Sequence, residues 1–329
     1  MEGARSVATI RDVARKSGVS VATVSRVLNE KGYVHEDTRK KVEKAIEILQ
    51  YKPNNVARSL FKKTSKTIGF LIPDITNPFF PQLVRAVEDV MYPAGYTTIL
   101  FNSDENLNHE IEYIEGMTSK YIDGFIIASN TLHWEHLHLL NVPVIALDRH
   151  IDSRISSVVI DNYTGAVEAL EFMFSRGCKN IAHLEGPNYI YTAQERKKAY
   201  LNVMKEKNLP VLLQQGNYEL EQAMIKTMHL LSEHPNIDGL FAGNDVMAIG
   251  ALKAAHKLGI QVPKQLSIMG FDGIEWGETV TPELTTMQQP IYEMGRKAAE
   301  LLLARIHEQD LEVEHHILPV NIKKRNSVK

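Results

Sequence analysis

The stretch TIRDVARKSGVSVATVSRVLN, residues 9–29, decides how this chain is read. Thr9 offers a side-chain oxygen just ahead of Ile10, Val13 and Ala14, a spacing that lines one face of a helix. Ser17-Gly18 ends that helix, because glycine tolerates the left-handed backbone that closes a helix C-terminus. Ser20 then caps a second helix with Val24, Val27 and Leu28 inward. That leaves Val21, Ala22, Ser25, Arg26 and Asn29 on or near its outer face. Helix, short turn with glycine, helix is the helix-turn-helix pattern. A third amphipathic helix is expected at about 36–49, with Val42, Ala45, Ile46 and Leu49 inward.

Charge sets this head apart from the rest. Residues 1–66 carry 15 Lys+Arg against 7 Asp+Glu, whereas residues 67–329 carry 22 against 33. A basic head on an acidic body suits a polyanion partner for the head; an ordinary solvated basic face is the alternative that charge alone leaves open. At 329 residues the chain is long enough for two or three domains, and 44% hydrophobic with 23% charged residues is a globular composition. No apolar run reaches the length of a membrane span, and MEGARSVATIRDVARKSG lacks the apolar core of a signal peptide. The single cysteine, Cys178, has no intrachain partner. The expected setting is cytoplasmic, without a membrane.

From Thr67 the pattern changes. TIGFLIPD, YTTILFNSD, DGFIIAS, PVIALD and SSVVID read as strands, with helical segments such as PQLVRAVEDVMYPAG and HEIEYIEGMTSKY between them. NIAHLEG, VLLQQGN, GLFAGN and SIMGFD form a second series. Short apolar strands alternating with helices indicate parallel sheets covered on both faces. The expected fold class is therefore α/β: an all-α head followed by a two-lobed domain of doubly wound parallel sheets. Ligands in such folds bind at the carboxyl ends of strands, where Asp104, Asp148-Arg149, Asn244-Asp245 and Asp272 fall.

DVARKSGVSVATVSRVLN, then YKPNNVARSL, then IGFLIPDITNPFF resemble in order and spacing the lactose/galactose repressor family of transcriptional regulators. The likeness runs from about Thr9 to the C-terminal KKRNSVK. Within the family, GYVHEDTR, LIPDITNPFFPQLVRAVED, FNSDEN and TAQER are most similar to the ribose operon repressors of Gram-positive bacteria. The resemblance implies a helix-turn-helix domain at 1–53, a hinge helix and linker at 54–66, and a periplasmic-binding-protein-like effector domain at 67–329. Its first lobe would take about 67–162 and 291–317, its second about 163–290 and 318–329.

The resemblance also implies roles. Val21, Ala22 and Arg26 would touch base edges in the major groove, where arginine grips guanine with two hydrogen bonds and small apolar groups meet thymine methyls. Ser20, Thr23, Ser25 and Asn29 would hold phosphates or cap, with Thr9 in the same DNA-facing set; a plain N-cap is the alternative for Ser20. In the hinge, NNVARSLF, Leu60 would wedge into a minor-groove step, Ala57 would permit close approach, and Asn54 and Arg58 would face DNA. A flexible linker is the other reading of that segment. In the effector domain, Asn77, Phe79, Phe80, Asp148, Arg149, Arg196, Asn244, Phe271, Asp272 and Gln289 would line a sugar cleft, with Tyr218 as a further aromatic wall. Polar groups would satisfy hydroxyls while aromatic faces cover the C–H face of the ring. A capping role for Asp272 and a core role for Phe80 or Phe271 stand beside this. The effector domain resembles the periplasmic sugar-binding proteins, the ribose binder in particular, and departs from it at Ala128-Ser129, where the ribose binder has an amide.

No GxSxG, GxxxxGK[ST] or GxGxxG after a strand is present, so no enzyme, catalytic residue or cofactor is expected. His133, His136 and His138 read as a solvated helix start rather than a metal site. The expected partners are double-stranded operator DNA of palindromic type, a sugar effector, ribose first among them, and a second copy of the chain. Some relatives carry a C-terminal leucine heptad that makes tetramers; no such tail follows KKRNSVK, so a homodimer is expected, located with the nucleoid. Open at this point are the operator sequence, a phosphorylated pentose or another sugar as effector, induction against corepression, and a phosphocarrier corepressor.

Overall fold

The computed structural model describes residues 8–29, 32–51, 64–118, 122–308 and 311–329, and divides into two compact units, Met1–Ser65 and Lys66–Lys329. The segment 54–61, with Asn54, Ala57, Arg58 and Leu60, lies outside the described residues.

The first unit contains α1 (Ile10–Ser17), α2 (Val21–Leu28) and α3 (Glu36–Leu49). Each boundary has a local cause. The Thr9 amide donates to Asp12 Oδ2 at 2.9 Å while the Asp12 amide points back at Thr9 Oγ1, a reciprocal cap that satisfies two otherwise free donors. Gly18, at φ 71°, closes α1. Ser20 Oγ accepts from the Thr23 amide at 3.1 Å and starts α2. Val13, Val24 and Val42, one from each helix, are fully buried against one another's neighbours and make the core of this small unit.

The second unit contains two sheets. In the first, β1 (Thr67–Ile72), β2 (Thr97–Asn102), β3 (Gly124–Ile127), β4 (Val144–Leu147), β5 (Ser156–Ile160) and β11 (His315–Leu318) lie in the order β11-β5-β4-β3-β1-β2, all parallel. In the second, β6 (Ile181–Glu185), β7 (Leu213–Gln215), β8 (Gly239–Ala242), β9 (Ser267–Asp272), β10 (Thr285–Gln288) and β12 (Asn321–Lys323) lie in the order β12-β10-β9-β8-β6-β7, with only β12 antiparallel. Both sheets thus repeat the doubly wound order 2-1-3-4-5. Strand β1 shows why: Ile68, Phe70 and Ile72 enter one core layer and Leu71 the other, the period of two expected of a strand buried on both faces.

Helices cover both faces. α4 (Phe79–Met91), α5 (Leu107–Thr118), the short α6 (Trp134–Leu137) and α12 (Ile291–His307) serve the first lobe. α7 (Asn162–Ser175), α8 (Tyr191–Glu206), α9 (Leu220–Glu233), α10 (Asp245–Lys257) and the short α11 (Trp276–Thr279) serve the second. The chain crosses between lobes at 161, 289–290 and 319–320. Helix α4 begins at Phe79, two residues before the PQLVRAVED segment read from sequence, so the NPFF aromatics sit on its first turn. Among the described residues no helix is long and apolar enough to cross a membrane.

Candidate effector cleft and DNA-facing helix

In the first unit the outer face of α2 is exposed among the described residues. Val21, Ala22 and Arg26 are exposed. The smaller polar residues are engaged locally: Ser20 Oγ lies 2.9 Å from Thr23 Oγ1, and Asn29 Nδ2 donates to the Ser25 carbonyl at 2.8 Å. Thr9 and Ser20 act as helix caps here.

In the second unit a cleft of about 310 Å³ opens where the carboxyl ends of the strands of both lobes meet. Two doubly wound sheets of the same order place equivalent positions opposite one another. Asp148 follows β4 and Asp272 ends β9, the fourth strand of each lobe, and both line the cleft. Both are held at positive φ, 61° and 117°, a backbone that costs a non-glycine residue energy and persists only where the surroundings enforce it.

One guanidinium organises this tier. Arg196, on α8 and 3% exposed, donates from Nε to Asn162 Oδ1 at 2.9 Å, and from Nη1 to the Gly243 carbonyl and to Asp272 Oδ1 at 3.3 Å. Its charge lies 3.8 Å over the ring of Phe271. Gln289 Nε2 donates to the same Asp272 oxygen at 2.7 Å, while Gln289 Oε1 is buried and, among the described residues, unpartnered. Asp148 Oδ1 is likewise buried without a partner. Burial pushes Asp148 up to about 7, Arg196 opposing and Asp272 adding to the shift. Burial raises Asp272 too, against the pull of Arg196 and Gln289. Buried polar atoms left unpaired at a cavity wall are costly until a ligand supplies the missing hydrogen bonds.

Aromatic groups complete the walls. Phe79 and Phe80 meet edge to face, 5.2 Å apart, at the mouth of α4, and Asn77 Oδ1 fixes that turn by accepting from the Phe79 amide at 3.1 Å. Tyr218 packs against Gly186, where an added Cβ would come within 2.4 Å of the ring; only glycine permits the approach. Asn244 caps α10 through Oδ1, which accepts from the Met247 amide at 2.9 Å, and also lines the cleft.

Two residues named from sequence stand behind the wall. Arg149 is 5% exposed and donates to the carbonyls of Ser129 and Leu132, at 2.5 and 2.9 Å, because burial requires its guanidinium to find acceptors and the adjacent turn presents them. Phe271 is fully buried beneath Arg196. Conversely, Glu105, Asn130, Tyr189, Thr192 and Asn217 line the cleft and were not singled out. Asp104 and Glu105 follow β2 as Asn217 and Tyr218 follow β7, so lobe symmetry was the available signal. Asp245, although at a strand end, faces inward: it accepts from Thr286 Oγ1 and from the amides of Gly273 and Ile274, at 2.6, 2.7 and 2.9 Å, and so shapes the turn after Asp272. The His133 amide donates to His136 Nδ1 at 3.0 Å at the start of α6. Among the described residues no group of three or more His, Cys, Asp or Glu is placed to hold a metal.

Comparison with known proteins follows this division. Residues 9–54 match the family described as bacterial regulatory proteins, lacI family. Residues 65–326 match periplasmic binding proteins and sugar binding domain of LacI family. The chain is 44% identical over 321 residues to the ribose operon repressor of Halalkalibacterium halodurans, covering 98% of this chain and 97% of that one. It is similar to the structure of the lac repressor dimer bound to operator and the anti-inducer ONPF (TM-score 0.87, 27% identity, 97% and 98% covered). It is also similar to a LacI family transcriptional regulator from Enterococcus faecium with bound ribose (TM-score 0.74, 32% identity, 80% and 98% covered).

Proposed function

The chain belongs to the LacI family of bacterial regulatory proteins, and on that premise we propose that it is the repressor of a sugar-utilisation operon whose inducer is ribose. It acts in the cytoplasm as a homodimer on a palindromic operator and performs no catalysis. α2 enters the major groove, with Arg26 reading guanine and Val21 and Ala22 reading thymine methyls. The observation that carries the effector reading is the pair Asp148 and Asp272 at equivalent strand ends, facing one cleft with unpartnered buried oxygens around them. A small polyol supplies the missing donors, and the rings of Phe79, Phe80 and Tyr218 suit its C–H faces. Ligands drawn from both lobes favour a closed cleft. Closure releases DNA if ribose binds the released state more tightly, by about 1.4 kcal/mol for each factor of ten in operator occupancy.

The test begins with an operator selected from random duplexes by the full chain. Millimolar ribose is expected to lower operator affinity at least about tenfold, the equivalent of about 1.4 kcal/mol. Arg26→Ala should lose about 1–3 kcal/mol on the operator and tolerate base changes in it, while its weak affinity for random DNA stays the same. Release by a hexose alone, or tightening by ribose, would overturn ribose as inducer.

Ribose affinity should also depend on pH. Burial holds Asp148 near 7, so below that pH it carries a proton. Hydroxyl donors prefer the carboxylate, hence binding expels the proton and affinity falls as pH drops through about 7, by up to about tenfold per unit. Asp272, raised as well, pushes the same way. Calorimetry in buffers of different ionisation enthalpy reads the released proton directly. No proton release in the wild type would refute the assignment, and Asp148→Asn should reduce whatever release is seen.

A further inference from the structure

We propose that Glu105, held by Asn130, is a specificity-determining residue of the effector cleft, accepting a hydroxyl of an unphosphorylated sugar and excluding a sugar phosphate. This rests on the reading of the cleft as a sugar site and narrows the class of ligand it takes.

After β3 the chain runs Ala128-Ser129-Asn130. Ala128 brings no polar side-chain atom to the wall, and Ser129 Oγ is buried away from the cleft without a partner. Asn130 is the first amide to reach the wall, and it turns to Glu105. The Asn130 backbone N–H donates to Glu105 Oε2 and its Nδ2 to Glu105 Oε1, both at 2.7 Å. Two donors on one carboxylate fix its plane as well as its position.

The supports of this pair are built on both sides. Asp104 and Glu105 both adopt φ 52°, a left-handed backbone that needs its surroundings to hold it. Arg149 bonds the carbonyls of Ser129 and Leu132 and so fixes the turn that carries Asn130. Arg149 is therefore a positioning residue acting through Asn130.

A carboxylate offers only acceptors, about two lone pairs on each oxygen. Two are used by Asn130; the remainder suit a hydroxyl that donates. Burial raises the carboxyl of Glu105, while Asn130 and Arg149 favour its charged form and Glu110 opposes it. The rest of the wall agrees in sign. Asp74, Asp104, Asp148, Glu219 and Asp272 line the same cleft, against one guanidinium, Arg196, whose Nε and Nη1 are already engaged by Asn162, Gly243 and Asp272. A dianionic phosphate would meet like charge in a partly desolvated site whose wall, among the described residues, carries no lysine.

The test titrates the full-length protein by calorimetry with ribose and with ribose 5-phosphate. The wild type should bind ribose at least about 100-fold more tightly than the phosphate, because like charge at short range is strongly repulsive in a low-dielectric cleft. Glu105→Gln should weaken ribose about tenfold and narrow that ratio by about tenfold or more, since it removes the charge and sets an amide donor against Asn130. Asn130→Ala keeps the charge and removes one of its two fixing bonds. It should weaken ribose yet leave the ratio nearly as in the wild type, a pattern that a merely structural role would not give. A ratio unchanged in Glu105→Gln overturns the proposal, as does a wild type that binds the phosphate as well as the free sugar. Should the wild type prefer a hexose, ribose as inducer is wrong. The same ratio taken between that hexose and its 6-phosphate then decides the role of Glu105 separately.

Discussion

Replacing Arg196 by methionine is expected to abolish the response to effector and to destabilise the second lobe by about 3–5 kcal/mol, the cost of breaking a buried ion pair from one side. Methionine keeps the reach of the chain and its packing on Phe271 but removes every donor. Asn162 Oδ1, the Gly243 carbonyl and the Asp272 carboxylate would lose their shared partner. Asp272 would then face Asp148 and Asp245, both carboxyls, with no cation between them. Against a domain stability of about 5–15 kcal/mol this is a large fraction. Urea unfolding of the intact protein should show the loss in the effector domain. Adding Asp272→Asn should recover part of the stability by removing the uncompensated charge, though not the ribose response. Single mutants that simply add would show that the two groups do not act as a pair. A loss under about 1 kcal/mol with normal induction would remove Arg196 from the centre of the site.

The second large effect concerns His183, in the core of the second lobe. Its ring lies between Phe241, stacked at 5.0 Å, and Tyr200 at 5.2 Å, with Nδ1 on the Phe241 carbonyl at 2.9 Å and Nε2 buried and unpartnered. Burial pushes it down from 6.5 to about 4, against the small help of the Phe241 carbonyl. The folded protein therefore holds it neutral where the unfolded chain would protonate it. Stability from this group is complete above about pH 6.5 and is lost as pH falls toward 4, by roughly 3 kcal/mol in all. Asp148, Asp245 and Asp272 work the other way over the same range. Their carboxyls are raised, so acid relieves a cost that they impose at neutral pH. Comparison with His183→Phe isolates the histidine, because the carboxylates are common to both proteins. The variant should gain on the wild type by about 3 kcal/mol between pH 7 and 4, measured by urea unfolding at each pH. Parallel stability curves would show that His183 titrates normally.

These two sites differ in how far the sequence announces them. The head was legible almost to the residue because its causes are local: Thr9, Gly18 and Ser20 set the helix ends within one turn of themselves, and Val13, Val24 and Val42 follow from period. The apolar strands β1, β3, β4, β5, β6, β8 and β9 announce themselves as continuous runs buried on both faces. Strands β10, β11 and β12 do not. TTMQ, HHIL and NIK are short, polar and without a clean alternation, and they are strands because a neighbouring edge pairs with them.

The same division runs through the cleft. The sequence, with its family likeness, determined a helix-turn-helix head, two doubly wound lobes and the residue types at their strand ends, because capping, periodicity and apolar runs are properties of neighbouring residues. Tertiary structure alone decided where those side chains turn. Arg149 follows Asp148 in sequence, yet one faces the cleft and the other the carbonyls of Ser129 and Leu132, because a buried guanidinium goes to whichever acceptors the fold sets beside it. Asn130 missed the expected amide position and took Glu105 instead, across a separation of 25 residues. Asp148 and Asp272 meet because repeated strand order puts equivalent ends in one cleft, and burial there, which no local pattern encodes, shifts their protons.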